Sequence, residues 1–270
     1  MNRSQIATDL LSNDIHIRLS ALSTLGEQDQ QTPLAPDICR SLLQCLGHNQ
    51  KTVQRAAAAQ LIRFAPHQPE IFTALTHTLS DPDSRVRWTA AFTLSQLDLP
   101  SPSPLPVLIE NLGHQESDLR WAAATALLRL AEQHRRAVVA AMVHLVYTDN
   151  AVQRRMALYC LRDLGQTGHE AQAAYLASLN DADAMVRLGG LSCLGKLQLT
   201  SVTARETILR LLLNDPDMGV RRSTAVTLGQ IGDVDPAVLE ALHAASRATD
   251  TSLSKSAARA LAKLSERLQR

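Results

Sequence analysis

Aromatic and arginine side chains recur together at a spacing that places them on one face of a helix. Trp88 precedes Phe92 by four residues, and Arg155 precedes Tyr159 by the same interval. Exposed Trp and Tyr rings beside Arg are good anchors for a partner, because they bury much area while losing little side-chain entropy. The alternative is that these rings pack against neighbouring helices and complete the core. The candidate partner-binding residues are Trp88, Phe92, Trp121, Arg155, Tyr159 and Arg222.

Motifs for catalysis or for cofactor binding are absent from the sequence. It contains no Gly-rich phosphate loop, no GxSxG elbow and no HExxH pair. His48 and His114 each follow a Leu-Gly pair, where a cation suits the C-terminal end of a helix. A single His-Glu pair, His169 with Glu170, is too little for a metal site of several histidines. We therefore predict no catalytic residue, no cofactor and no metal ligand.

Composition and charge favour a helical protein that does not bind nucleic acid. Aromatic residues make up only 3% of the 270 residues, and the abundant Leu and Ala favour helices over strands. Lys and Arg number 27 against 26 Asp and Glu, so no global basic field attracts polyanions. Between Asp81 and Asp163 the charges balance, nine against nine, which disfavours phosphate binding unless the signs are segregated by face.

A repeated pattern organises the whole chain. Three segments, 81–91, 181–191 and 215–225, align without gaps on an Asp-x-Asp-x-x-Val-Arg core, and each continues into a Leu. We take the residue before the recurrent Arg as the anchor of each repeat. The anchors are Ile17, Gln54, Val86, Leu119, Gln153, Val186, Val220 and Leu253. Their near-constant spacing predicts about eight repeats in a single domain over residues 1–270.

Each repeat is predicted to be a helical hairpin. Apolar residues follow the anchor at the spacing of one helical stripe, and the Asp-x-Asp before it supplies a turn and an N-cap. A first amphipathic helix precedes each turn, for example at Leu105–Leu112 and Val138–Leu145. Pro100, Pro102, Pro104 and Pro106 should delay the start of one such helix. A hairpin cannot bury its stripe alone, so the fold class is all-α, a right-handed α-solenoid whose second helices line the concave face.

The pattern Asp-Pro-Asp-x-x-Val-Arg-x-x-Ala-Ala-x-x-Leu resembles the short HEAT-like repeat first recognised in phycobilisome bilin lyases. In repeats of that kind, the recurrent Arg reaches the turn Asp of the next repeat and forms a ladder. The resemblance implies a structural role for Arg18, Arg55, Arg87, Arg120, Arg154, Arg187 and Arg221. The last repeat has Ser254 in this place, as expected where no next repeat follows. The alternative is that the row binds an anionic ligand.

These observations predict a non-catalytic scaffold or adaptor that binds another protein on its concave face, centred on repeats three to five. The alternative that the resemblance implies is a bilin lyase subunit or a chromophore-handling factor, whose partner would be a tetrapyrrole-carrying protein.

The cysteines and the hydropathy of the chain indicate the compartment. Cys39, Cys45, Cys160 and Cys193 form no CxxC pair, and no apolar run is long enough to span a membrane. We therefore expect a cytoplasmic protein with reduced thiols.

Overall fold

A computed structural model describes residues 3–98, 100–101 and 103–269, and within these ranges every regular element is helical. A short 3₁₀ turn, Ala65–His67, follows α4. The helices are α1 Arg3–Asp9, α2 Ile15–Gly26, α3 Pro36–Cys45, α4 Lys51–Phe64, α5 Glu70–Thr78, α6 Ser84–Leu94, α7 Leu105–Leu112, α8 Ser117–Leu145, α9 Ala151–Asp163, α10 His169–Ser178, α11 Ala184–Leu197, α12 Val202–Asn214, α13 Met218–Ile231, α14 Pro236–Ser246 and α15 Thr251–Leu268.

The two aspartates of each Asp-x-Asp turn have different tasks. The Asp81 carboxylate accepts a hydrogen bond from the backbone N–H of Asp83 at 2.8 Å, which closes the turn. Asp83 then accepts one from the N–H of Arg85 at 2.9 Å and caps α6. The same pair of bonds forms in the turns before α11 and α13. In these three repeats the pattern therefore starts the second helix directly after the second Asp, whereas α4 follows Gln50 without a side-chain cap.

The helices pair into hairpins that stack on their neighbours, as the repeat predicts. They are grouped into two compact units, Met1–Val138 and Val139–Arg270. In the second unit α9, α11, α13 and α15 pack in succession, and these second helices are in closer contact than the first helices α12 and α14. The anchors Val186, Val220 and Leu253 are fully buried between them. An α-solenoid is thus the observed architecture of this unit.

The predicted first helix Val138–Leu145 lies after a kink in α8. The backbone of His134, with φ −119° and ψ 39°, is not helical and divides the element Ser117–Leu145 into two helical segments. Val138–Leu145 belongs to the second segment, as the repeat pattern predicts. The sequence before Val138 contains no Gly or Pro that would mark this break.

The proline-rich joint behaves as expected where the structure describes it. The first helix of the fourth repeat begins at Leu105, directly after Pro104, and Pro106 occupies its first turn. Pro lacks an amide donor, so it is tolerated in the first turn but not further inside a helix. Leu99 and Pro102 lie outside the described residues.

Small residues allow helices of the second unit to approach closely. Between two second helices, a Cβ atom added to Gly229 in α13 would lie 3.0 Å from the Cα of Ala260 in α15. Within one hairpin, a Cβ added to Gly190 in α11 would lie 3.1 Å from the backbone oxygen of Tyr175 in the first helix α10. Backbone atoms cannot rotate away as a flexible side chain can, so these two positions set how closely the helices pack.

We expect Gly229→Ala to destabilise the protein by about 1–3 kcal/mol, because the added methyl group must push α13 and α15 apart. The free energy of urea unfolding measures this change. Gly168→Ala is the control for added volume, since Gly168 is the N-cap of α10 and an added Cβ there meets no atom within 4 Å. That control should lower stability by about 0.5 kcal/mol, because Ala caps a helix less well than Gly. Equal stability of the two variants would contradict the close packing.

Candidate functional site

The structure distributes the six candidate residues between the two units. Trp88, Phe92 and Trp121 lie on second helices of the first unit and are named the aromatic surface. Trp88 and Phe92 are half-buried and contact each other, with ring centroids 5.7 Å apart and planes tilted by 45°. Trp121, at the corresponding place one repeat later, is 48% exposed. The first two rings therefore partly complete the core, whereas Trp121 presents a large apolar area to solvent.

The other three candidates, Arg155, Tyr159 and Arg222, lie on α9 and α13 of the second unit and are half-buried. The Tyr159 ring lies under the Arg162 guanidinium, whose carbon is 4.9 Å from the ring centroid. Arg162 also donates to Asp163 at 2.8 Å, and this hydrogen bond raises the pKa of the Arg162 guanidinium. A further bond of 2.8 Å joins Arg162 to Ser192 on α11. Arg162 thus fixes Tyr159 and links two repeats.

Two basic residues on the same face were missed as candidates. Lys255 and Arg259 follow the anchor Leu253 by two and six residues, the same offsets that Arg222 and Val226 have from Val220. Both are exposed. The same two-residue and six-residue offsets, applied to the anchor Leu253 of the last repeat, identify both residues from the sequence. The basic surface of the second unit comprises Arg155, Leu188, Arg222, Lys255 and Arg259.

The recurrent arginines have a structural task within their own repeat. Arg87, Arg120, Arg154 and Arg187 each donate to the backbone carbonyl six residues earlier, at 2.7 to 3.0 Å. These carbonyls belong to the turn between the two helices, where no backbone partner is in reach. Arg221 departs from the pattern and donates to the Leu212 carbonyl instead.

The second repeat is shifted by one residue relative to the predicted register. Gln54, rather than Arg55, donates to the carbonyl six residues earlier, that of His48. Val53 is fully buried in the place of the anchor, and Arg55 is exposed. The assignment of Arg55 to the structural row is therefore wrong, because an amide N–H serves in place of the guanidinium.

Two of the recurrent arginines contact the turn Asp of the next repeat, as predicted. Arg154 forms a two-bond pair with Asp181, both bonds being 2.7 Å, which raises the pKa of Arg154. Arg187 forms the same pair with Asp215 at 2.8 Å, where both side chains are almost fully buried. Arg87 binds Glu110 on a first helix instead of a turn Asp. These contacts favour a structural role over an anionic-ligand track.

The described residues offer little support for a catalytic thiol or a metal site. The four cysteines are free thiols, and burial raises the pKa of Cys160 to about 12. Such a thiol stays protonated at neutral pH and is a poor nucleophile. Among the residues that the structure describes, no three His, Cys, Asp or Glu side chains converge as a metal-binding group.

Comparison with known families matches residues 39–128 and 173–262 to a model described as HEAT repeats. The chain belongs to the HEAT-repeat family. The first matched range lies in the first unit and the second range in the second unit. The anchors Val186, Val220 and Leu253 of the second range are buried. In the first range Val53 is buried instead of the predicted Gln54, and Val86 and Leu119 are half-buried. No curated protein matches the chain.

Solved structures of HEAT-repeat and related proteins share this fold at low sequence identity. The karyopherin Kap121p, bound to the extreme C-terminus of the protein phosphatase Cdc14p, is 13% identical with a TM-score of 0.70, over 97% of this chain and 34% of Kap121p. Kap95p, in a structure with RanGDP, is 16% identical with a TM-score of 0.66, over 97% and 40%. YibA of E. coli is 17% identical with a TM-score of 0.55, over 98% and 93%. The HEAT-repeat chain thus spans between a third and two fifths of the karyopherins.

Two further findings concern the HEAT-repeat fold and the character of its helices. HEAT solenoids are typical of protein-binding scaffolds, and the chain has this fold. Within the residues described, no helix has the length and apolar character needed to cross a bilayer.

In the HEAT repeats of the second unit, we expect Arg187→Ala to lower the free energy of unfolding by about 3–5 kcal/mol, because it leaves the buried Asp215 carboxylate unpaired. Thermal and urea unfolding measure the loss. Arg85→Ala is the control, since Arg85 and Asp83 form their 2.8 Å ion pair in solvent. A wild-type melting temperature for Arg187→Ala would instead favour a ligand-binding role for the row.

Proposed function

We propose that the chain is a non-catalytic scaffold or adaptor that binds another protein through the exposed face of its second helices. The observation that carries the proposal is the exposure of Trp121 on the aromatic surface, one repeat after the Trp88 and Phe92 pair. An exposed Trp is costly in solvent and contributes strongly when a partner buries it. Trp88 and Phe92 add a preformed apolar pair on the second helix of the preceding repeat.

Packing within each unit supports the second-helix face as the binding side. Successive second helices in the second unit pack more closely than its first helices, as they do on the inner side of a curved stack. Rigid helices also hold exposed side chains in fixed positions, which lowers the entropy cost of binding. Structures of Kap121p and Kap95p with protein partners offer a parallel for a fold of this kind.

The repeat type and the compartment are proposed on the residues alone. The Asp-Pro-Asp turns with Arg ladder contacts are consistent with the short phycobilisome-lyase-like type of HEAT repeat. The four free thiols, three of them buried, suit a reducing compartment such as the cytoplasm. A tetrapyrrole-carrying protein stays the alternative partner.

Trp121→Ser should reduce capture of the partner about tenfold in a pull-down from native lysate, because it removes the exposed aromatic anchor. Tyr147→Ser is the matched control: Tyr147 is 58% exposed but lies in a turn rather than on a second helix. The decisive measurement is the amount of one stoichiometric protein retained by each variant. Equal retention by wild type and Trp121→Ser would overturn the aromatic surface as the binding site.

Bilin added to the purified protein is expected to leave the bilin absorbance unchanged, because the proposed scaffold role involves no chromophore. The measurement is a titration followed by visible absorbance spectra. A saturable spectral shift at one bilin per chain would instead support the chromophore-handling alternative.

A further inference from the structure

Opposite charges occupy different parts of the second unit. The second helices α9, α11, α13 and α15 carry three, two, two and four Lys or Arg residues, against two acidic residues in total. The acidic residues concentrate in the turns, as in Asp181, Asp183, Asp215 and Asp217. The near-zero net charge of the chain therefore conceals a local excess of positive charge on this face.

Five of these basic side chains already bind groups within the protein. Arg154 and Arg187 are paired with turn aspartates, and Arg162 with Asp163. Arg221 and Arg267 donate to backbone carbonyls.

The basic surface holds four of the six remaining cations of these helices, and Lys196 and Lys263 are the other two. Its four cations, Arg155, Arg222, Lys255 and Arg259, form no ion pair with any residue in the described ranges. These side chains are available to an anionic partner.

One row of the basic surface has a regular spacing. Arg155, Leu188, Arg222 and Lys255 each stand two residues after the anchor, on four second helices that pack in succession. Packed helices have axes about 8–10 Å apart. An extended peptide in the polyproline II conformation has three residues per turn and advances about 3.1 Å per residue. Every third side chain of such a peptide faces the same way, about 9.3 Å from the last, and would therefore meet the next side chain of the row.

Apolar side chains among the cations favour a peptide over a nucleic acid. Met185 and Val226 are 45% and 46% exposed on the same face, and Leu188 interrupts the row of cations. A phosphate backbone carries a negative charge at every nucleotide, whereas the row has the apolar Leu188 at one of its four steps. The one aromatic ring nearby, Tyr159, already lies under Arg162 instead of standing free for base stacking.

We propose that the basic surface binds an extended acidic peptide segment of the partner protein, with carboxylates at third-residue spacing and an apolar residue opposite Leu188. This inference rests on the proposed scaffold function and specifies the chemistry of its partner. Carboxylates would pair with Arg155, Arg222 and Lys255, and Arg offers a two-bond geometry to each carboxylate. Binding through such charges weakens as salt screens them.

The test uses the full chain and fluorescein-labelled ten-residue peptides, with binding followed by fluorescence anisotropy. One peptide has Glu at positions one, seven and ten and Leu at four, and a second has the same pattern reversed, because either chain direction fits the row. A third peptide has the same composition with its Glu residues adjacent. We expect one of the two spaced peptides to bind about tenfold more tightly than the clustered one.

The variant Arg222→Gln/Lys255→Gln should weaken binding of the spaced peptide about tenfold, since two charge-assisted contacts are lost. The matched control is Arg210→Gln/Arg247→Gln, which removes the same charge from a first helix and a turn. It should bind like wild type. Thermal unfolding of both double variants should match wild type, because Arg222 and Lys255 form no ion pair in the described structure.

Three results would overturn the inference: no peptide binding, equal binding of the spaced and clustered peptides, or equal weakening by both double variants. Tighter binding of a ten-nucleotide single-stranded DNA that is lost in Arg222→Gln/Lys255→Gln would also overturn it, in favour of nucleic acid. The scaffold function is judged separately by Trp121→Ser in the first unit. Partner capture that depends on Trp121, without peptide binding, would refute only the acidic-peptide inference.

Discussion

Close contact between successive second helices is the constraint on which the described architecture depends. A two-helix repeat has one apolar stripe and no second layer of its own, so it becomes stable only against its neighbours. In the second unit this contact is so close that Gly229 leaves room for no side-chain atom beside Ala260. The buried anchors Val220 and Leu253 lie at the same interface. Because the apolar stripe of each second helix packs against the neighbouring repeats, residues on the opposite side of that helix remain exposed.

Many polar residues of the repeat form hydrogen bonds and ion pairs within the stacked helices and are therefore not free for a partner. Each turn must satisfy its own backbone carbonyls and N–H groups, and the Asp-x-Asp pair with the recurrent Arg does so. Where the next repeat offers an Asp, the same guanidinium joins the two repeats, as Arg187 does with Asp215. The negative charges thereby collect in the turns and the positive charges on the second helices. The exposed basic surface is what remains after these internal pairs have formed.

Local patterns predicted most of the fold because the same sequence signals recur in successive repeats. The Asp caps, the apolar spacing and the recurrent Arg located every second helix. They failed where a signal was replaced by a chemical equivalent. Gln54 donates the same hydrogen bond as Arg, so the second repeat was placed one residue late.

The sequence by itself determined the all-helical repeat, the turn chemistry and the rows in which Trp88, Trp121, Arg155 and Arg222 recur, because these follow from the spacing of residues along one helix. The tertiary structure decided which members of those rows are exposed and which charges are already paired. Arg154 and Arg155 are neighbours in the chain, yet one is bound to Asp181 and the other has no ion pair among the described residues. The reason is that burial and pairing depend on residues of the next repeat, about thirty positions away, which no local pattern can place.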